Sequence, residues 1–364
     1  MSDATPAPTS APSAGSSERR AWIDVARGAA ISLVVLLHMS LFIERSGFEV
    51  AESVQNFNDL LDGLRMPTLV GLSGILAAGV VKWTWSDVWR RRVAPLLLLY
   101  YVWTIVFLVV GMPLRYGRGA IDSLDRAWQA LLRPEPYVWY LLALACFIAA
   151  ARLLRRVPTL VLISAAIGAY LMFRLWVPRP PVTGPGGWLR LANYWIFFVV
   201  GERASHLWMR WGDRAEWKRA VLATAAFVVI GGTLVFVLGM RVHPVMSLVL
   251  CLLGMICSVA VAGATAHLPF MRWARAIGRR SLGVYAVHAW LGYAVWVRLG
   301  EYVPEFPGSS VVVPVGYSAG VVAAAYGVTA ALARWAPVPF VRPWWSMARR
   351  DTDPAQRPAR AGAE

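Results

Sequence analysis

The sequence predicts an all-α fold, a polytopic integral membrane protein of about ten transmembrane helices. Hydrophobic residues make up 58% of the 364 residues and charged residues only 15%. An average soluble domain has roughly 45–50% apolar residues and about 25% charged residues. The mean hydropathy is +0.54, and long apolar stretches recur along the chain. This composition excludes secreted disulfide scaffolds, disordered chains and ordinary cytosolic enzymes.

Ten stretches are long enough to cross a bilayer as helices, although the fourth is short. They cover residues 21–43, 60–81, 93–113, 137–151, 157–177, 191–208, 220–240, 245–265, 281–300 and 311–333. Residues 1–18 are rich in Ser, Ala, Pro and Thr, so we expect a disordered tail. The transmembrane domain is then expected at 19–335, followed by a basic, disordered cytoplasmic tail at 336–364.

The positive charge indicates a membrane orientation and no nucleic-acid partner. Lys and Arg number 36 against 20 Asp and Glu, a net charge of +16. If the N-terminus is cytoplasmic, most basic residues fall on cytoplasmic loops, as the positive-inside rule requires. We therefore expect both termini in the cytoplasm of a multi-pass protein of the plasma (inner) membrane. The oligomeric state stays open. The three cysteines lie in apolar runs, which favours buried packing over metal binding.

The first predicted span contains Asp24, Arg27 and His38. Ionisable residues inside a span are costly and are therefore functional candidates. Arg27 and His38 are eleven residues apart, so a helix places them on one face, about 16 Å apart along its axis. Asp24 lies three residues before Arg27 and can pair with it. Two interpretations are open: a structural ion pair with a separately satisfied histidine, or a reaction site along this face.

Five motifs in order resemble the acyltransferase family 3 membrane proteins, over about residues 19–335. The first is WIDVARGAAISLVVLLH at 22–38, and its sequence is most similar to the sugar O-acetylase branch. The others are Met66-Pro67 with Leu72-Ser73-Gly74, Arg90-Arg91-Arg92 with Pro95, Trp139-Tyr140-Leu141, and Ser281 with Tyr285 and His288.

The resemblance implies transfer of an acyl group, usually acetyl, from acyl-CoA to a hydroxyl of a cell-envelope carbohydrate or glycolipid. It implies no permanently bound cofactor. His38 is the general-base candidate, because histidine titrates in the range that proton transfer from an alcohol requires. Arg27 is the second catalytic candidate and also a donor-binding one, since a guanidinium matches the CoA phosphates.

Further candidates are divided between the donor and the acceptor. The basic run Arg90, Arg91 and Arg92 lies at the cytoplasmic side, where CoA is available, and is assigned to donor binding. His288 lies seven residues into its span, so its predicted depth matches Arg27 rather than His38. Tyr285 and His288 then either line the donor path or fix helix packing.

The acceptor candidates are Asp24, Trp139 and Tyr140. The two aromatic residues could equally belong to an interfacial aromatic belt. Asp62 and Arg65 are spaced for an ion pair, and Ser73-Gly74 favours close helix packing over a nucleophile. A transporter or lipid flippase, or a catalytically inactive scaffold, is an alternative to the enzyme.

Overall fold

The computed structural model describes residues 20–111, 138–176, 186–239 and 243–335, and every regular element in these ranges is helical. The tails predicted at 1–18 and 336–364 lie outside the described residues. The helices are α1 Ala21–Arg45, α2 Glu52–Leu60, α3 Asp62–Ala77, α4 Trp85–Val88, α5 Ala94–Val106, α6 Trp139–Leu153, α7 Thr159–Trp176, α8 Gly186–Arg203, α9 Ser205–Asp213, α10 Trp217–Gly232, α11 Pro244–Thr265, α12 Arg272–Arg279, α13 Ser281–Leu299 and α14 Ser309–Trp335.

Seven helical segments in the described part of the chain are long and apolar enough to cross a membrane. They are Ala21–Arg45, Glu52–Ala77, Trp85–Val109, Thr159–Trp176, Trp217–Val237, Pro244–Thr265 and Ser309–Arg334. The prediction of a helical membrane protein is confirmed at this level. The other three predicted spans correspond to α6, α8 and α13, which are shorter, less apolar or more charged. The number of ten crossings and the orientation of the termini stay predictions.

α1 lies at the centre of the bundle, where it packs against α3, α11, α12, α13 and α14. Its apolar side chains are buried on several sides, with Ile31, Val35 and Met39 at or near complete burial. A surface helix would bury one stripe only. The ionisable residues of α1 are therefore carried into the interior of the protein by the helix itself.

Glycines allow the backbones of α3 and α8 to touch. A Cβ atom at Gly74 would lie 2.2 Å from the carbonyl oxygen of Phe198, and one at Gly201 would lie 2.1 Å from that of Gly71. Small residues at such crossings let membrane helices pack closely. This contact supports the structural interpretation of Ser73-Gly74.

The short helix α12 is held against α1 in the same way. A Cβ atom at Gly28 would lie 1.9 Å from the carbonyl oxygen of Ala274, and one at Gly278 would lie 1.8 Å from that of Asp24. The two backbones are thus in direct contact at residues 24–28. Because α13 begins at Ser281, directly after α12, this contact also decides where α13 starts relative to α1.

Candidate active site

His38 and His288 form a hydrogen-bonded pair between α1 and α13. The Nδ1 atom of His38 lies 2.8 Å from Nε2 of His288. The two rings are nearly parallel, with an interplanar angle of 7° and centroids 5.1 Å apart. His288 is fully buried, whereas His38 is half-buried. The predicted depth of His288 was wrong: it lies level with His38, not with Arg27.

The reason is the position of α12. Counting depth from the membrane surface assumes that α13 begins at the same level as Ala21. His288 is only seven residues, about 10 Å, beyond the start of α13 at Ser281, whereas His38 is seventeen residues, about 25 Å, beyond Ala21. The pairing of the two rings therefore means that α13, which follows the α12 contact with α1, begins about 15 Å further along the bundle than α1 does.

The hydrogen bonds of the pair define which nitrogen atoms carry protons. The Nδ1 atom of His288 lies 2.6 Å from the carbonyl oxygen of Tyr285. A carbonyl only accepts, so His288 Nδ1 is the donor, and in the neutral ring Nε2 is then an acceptor. His38 Nδ1 must donate to it, which leaves the lone pair of His38 on Nε2. This is the protonation that a general base requires.

Aromatic residues pack tightly beside the histidine pair. The backbone N–H of Tyr140 donates to the Tyr285 hydroxyl at 3.2 Å, and the Tyr140 hydroxyl donates to the carbonyl oxygen of Leu69 at 3.0 Å. The Tyr140 hydroxyl also lies 2.8 Å from Ser73 Oγ. Trp139 stacks on Tyr194, with centroids 5.1 Å apart. Trp139, Tyr140 and Tyr285 are all buried. Their assignment to acceptor or donor binding stays a prediction.

Arg27 and Asp24 are both buried on α1, with exposed fractions of 2% and 5%. Arg27 lies within electrostatic range of the Tyr140 hydroxyl. Tyr140 in turn contacts Tyr285, one helical turn before His288. Arg27 is thus linked electrostatically to the aromatic residues that pack beside His288. Donor binding by Arg27 and acceptor binding by Asp24 stay predictions.

The three arginines before α5 point in different directions. Arg90 is exposed and Arg91 pairs with Asp87 at 3.2 Å. Arg92 is buried, with its guanidinium 5.0 Å from the centre of the Trp83 ring. They lie on a π-helical turn, Trp89–Val93. Pro95 has no N–H to donate to the carbonyl of residue 91, so the wider turn is expected before it. Their role in donor binding stays a prediction.

Arg65 was assigned only to an ion pair, but it also lies close to the histidines. It contacts Asp62 at 3.3 Å, as predicted, and donates to Asn58 Oδ1 at 2.9 Å. The side chain is 2% exposed and within electrostatic range of His38. The available signal was a charged residue inside a span. The spacing of Asp62 and Arg65 in the sequence does not indicate which residues of α1 lie near Arg65.

No cluster of three or more His, Cys, Asp or Glu residues that could hold a metal ion occurs in the described ranges. The histidine pair is instead hydrogen-bonded to a backbone carbonyl and lies within a bundle of apolar helices. This arrangement defines a helical membrane protein with a buried histidine centre.

The family follows from comparison of the chain with known proteins. The model of acyltransferase family 3, described as an acyltransferase domain, matches residues 20–334. The chain therefore belongs to this family of membrane acyltransferases, and the resemblance in its five motifs is confirmed. No curated protein and no solved structure matches the chain.

Proposed function

We propose that the protein transfers an acyl group, acetyl in the first instance, from acyl-CoA to a hydroxyl of a cell-envelope carbohydrate or glycolipid. Membership of an acyltransferase family supports the transfer itself. The observation that carries the mechanism is the hydrogen-bond series from the Tyr285 carbonyl through His288 to His38. It leaves His38 Nε2 unprotonated and fixes the orientation of its ring.

His38 acts as the general base and His288 as its positioning partner. When the acceptor hydroxyl attacks the thioester carbonyl, its proton moves to His38 Nε2 and a C–O bond forms. The tetrahedral intermediate then collapses, the C–S bond breaks, and the CoA thiol leaves with the proton from His38. His288 accepts a hydrogen bond from His38 Nδ1 throughout and stabilises the transient imidazolium, the role of the third group in nucleophile–base–orienter arrangements.

The donor binds at the Arg27 side of the helix. The offset of about 16 Å between Arg27 and His38 is comparable to an extended pantetheine arm. Arg27 holds a CoA phosphate by a bidentate contact, and the thioester reaches His38. Arg92, which is buried on the π-helical turn, and its neighbours Arg90 and Arg91 contribute further positive charge.

Purified protein in detergent separates the enzyme from a transporter or flippase. An acyltransferase releases free CoA thiol from acetyl-CoA when envelope glycolipid extract is added, without any sealed compartment. A transporter has no activity in this assay. Thiol release that is absent in wild-type protein, or unchanged in His38→Ala, contradicts the proposal. A mass difference of one acyl group in the glycolipids of wild-type and deletion cells identifies both substrates.

The proposed location is the plasma (inner) membrane, with both termini and the Arg27 side of α1 in the cytoplasm. A cysteine introduced at the exposed Arg90 should then be protected from an impermeant thiol reagent in intact cells, and one at the exposed Glu305 should react. Glu49 is exposed after the C-terminus of α1. A cysteine at this position provides a second test of the side of the membrane that the reagent reaches. The opposite labelling pattern would place the CoA-binding arginines on the wrong side of the membrane.

A further inference from the structure

A cavity of about 650 Å³ opens at the C-terminal end of α1, beyond the histidine pair. Its volume is within the range of about 300–1,000 Å³ that is typical of small-molecule sites. Phe42 and Tyr293 line it, and their rings pack edge to face with centroids 5.5 Å apart. Phe42 lies one turn beyond His38, so the base of the cavity is about 6 Å along the helix from the proposed catalytic histidine.

The aromatic wall of this cavity is rigid. Trp296 is 5% exposed, and its indole N–H donates to Ser46 Oγ at 2.6 Å. Phe48 packs edge to face on Trp296, with centroids 6.0 Å apart. Gly47, at φ 92°, adopts the left-handed conformation that ends α1 and returns the chain so that Phe48 reaches this wall. The ring faces and edges are thus fixed before any ligand binds.

Charged side chains complete the lining. Arg45, Glu301 and Glu305 face the cavity and are exposed. Arg45 also lies within electrostatic range of His38. Two carboxylates and one guanidinium give the cavity lining a net negative charge. That charge disfavours the phosphates of CoA, which we propose to bind the arginines at the other end of α1.

We infer that this cavity binds the acceptor as a neutral glycosyl unit, with the reacting hydroxyl directed past Phe42 to His38. The assignment rests on the proposed function and names its acceptor site. Carboxylates accept and a guanidinium donates hydrogen bonds to sugar hydroxyls, while aromatic rings cover the apolar C–H face of the sugar. The inference moves the acceptor from Trp139 and Tyr140 to the ends of α1 and α13, because the cavity and its exposed charged side chains lie there.

The test measures sugar binding directly. Wild-type protein in phospholipid nanodiscs, free of glycosidic detergent, is titrated with methyl glycosides of glucose, galactose, rhamnose and N-acetylglucosamine by saturation-transfer difference NMR. At least one glycoside should receive saturation on its ring protons. Its affinity should fall at least about tenfold in the double variant Glu301→Gln/Glu305→Gln, because hydrogen bonds to charged groups are lost. The matched double variant Glu49→Gln/Glu52→Gln changes two exposed acids outside the cavity lining and should bind as wild type.

The outcomes separate this site from the proposed reaction. His38→Ala should retain sugar binding, since it alters the base and not the cavity. No saturation of any glycoside, or equal affinity in the Glu301/Glu305 variant, overturns the site even if acyl transfer is observed. Sugar binding that depends on Glu301 and Glu305, in a protein that never consumes acyl-CoA, supports the site and contradicts the proposed function.

Discussion

The two ends of α1 are held in the bundle by different kinds of contact. At residues 24–28, its backbone touches the backbone of α12 through Gly28 and Gly278. From His38 to the residue that follows the helix, the contacts to α13 are made by side chains: the histidine pair, Phe42 on Tyr293, and Ser46 with Trp296. One end is fixed by main-chain contact, whereas the other encloses a cavity.

This difference is consistent with the two substrates that we propose. A backbone contact cannot adjust, so the Arg27 end presents buried charge at a fixed position, suited to a donor of constant structure. Side chains at the His38 end leave a volume of about 650 Å³, lined by exposed charges, which suits an acceptor that enters and leaves. The predictions below test whether the two ends differ in this way.

The largest effect is expected for Gly28→Val. Its Cβ atom would lie 1.9 Å from the Ala274 carbonyl oxygen, and neither backbone can move cheaply. Overpacking usually costs about 1–3 kcal/mol, and we expect this variant at or above the upper limit. The matched variant at the other end is Gly292→Val, whose Cβ would meet the Met39 thioether and the Val321 Cγ1 atom, which are side chains and not backbone. Thermal unfolding and folded yield after size exclusion compare them; equal losses would contradict the distinction between the two ends.

His38→Ala should leave the protein folded and lower the rate of transfer by about 10²–10⁴, the usual contribution of a general base. Acyl-CoA binding should be unchanged, because the donor phosphates bind at the other end of the helix. His267→Ala, at an exposed histidine, is the control. Turnover near the wild-type rate in His38→Ala would mean that another residue removes the proton.

His288→Ala should lower kcat by about 10- to 100-fold, comparable to the loss of outer partners that orient metal-bound histidines. KM for acyl-CoA should not change. A purely structural role would lower the thermal midpoint and the active fraction without altering the pH profile of kcat. Gln can offer an amide oxygen to His38 Nδ1, so His288→Gln should recover part of the rate. No recovery together with an unchanged pH profile would exclude the positioning role.

Arg27→Lys should have the smallest effect, because it retains the charge and loses only the bidentate geometry. We expect KM for acyl-CoA to rise about tenfold with kcat largely kept. A structural ion pair with Asp24 predicts a different pattern: Arg27→Gln would destabilise the fold by several kcal/mol, and Asp24→Asn would restore it. Isothermal titration with CoA and thermal unfolding on the same variants distinguish these. Unchanged CoA affinity in a well-folded Arg27→Gln protein rules out the phosphate contact.

Much of the fold followed from local sequence. Hydropathy placed α1 at 21–43 and α13 at 281–300, against Ala21–Arg45 and Ser281–Leu299 in the structure. Helical spacing put Arg27 and His38 on one face of α1. The motifs identified the family, which the match over residues 20–334 confirmed. These features depend on residues within one helix or on patterns along the chain, and therefore need no knowledge of how helices meet.

The partner of His38 depended on tertiary structure. The sequence does not reveal that α12 packs on α1 at Gly28 and Gly278, nor where α13 then begins relative to α1. The same holds for Arg65, whose neighbour Asp62 is local while its proximity to His38 is not. The cavity lined by Arg45, Glu301 and Glu305 likewise joins segments far apart in the chain.

The sequence by itself determined a helical membrane protein with an arginine and a histidine on one face of its first helix, because helix period and hydropathy are local properties. Its motifs, which are also read along the chain, identified the acyltransferase family. Only the tertiary structure decided that His38 is paired with His288 and oriented through the Tyr285 carbonyl. The depth of a residue in the bundle depends on where its helix docks. Here docking is set by main-chain contact at Gly28 and Gly278, where the absence of side chains lets two backbones meet.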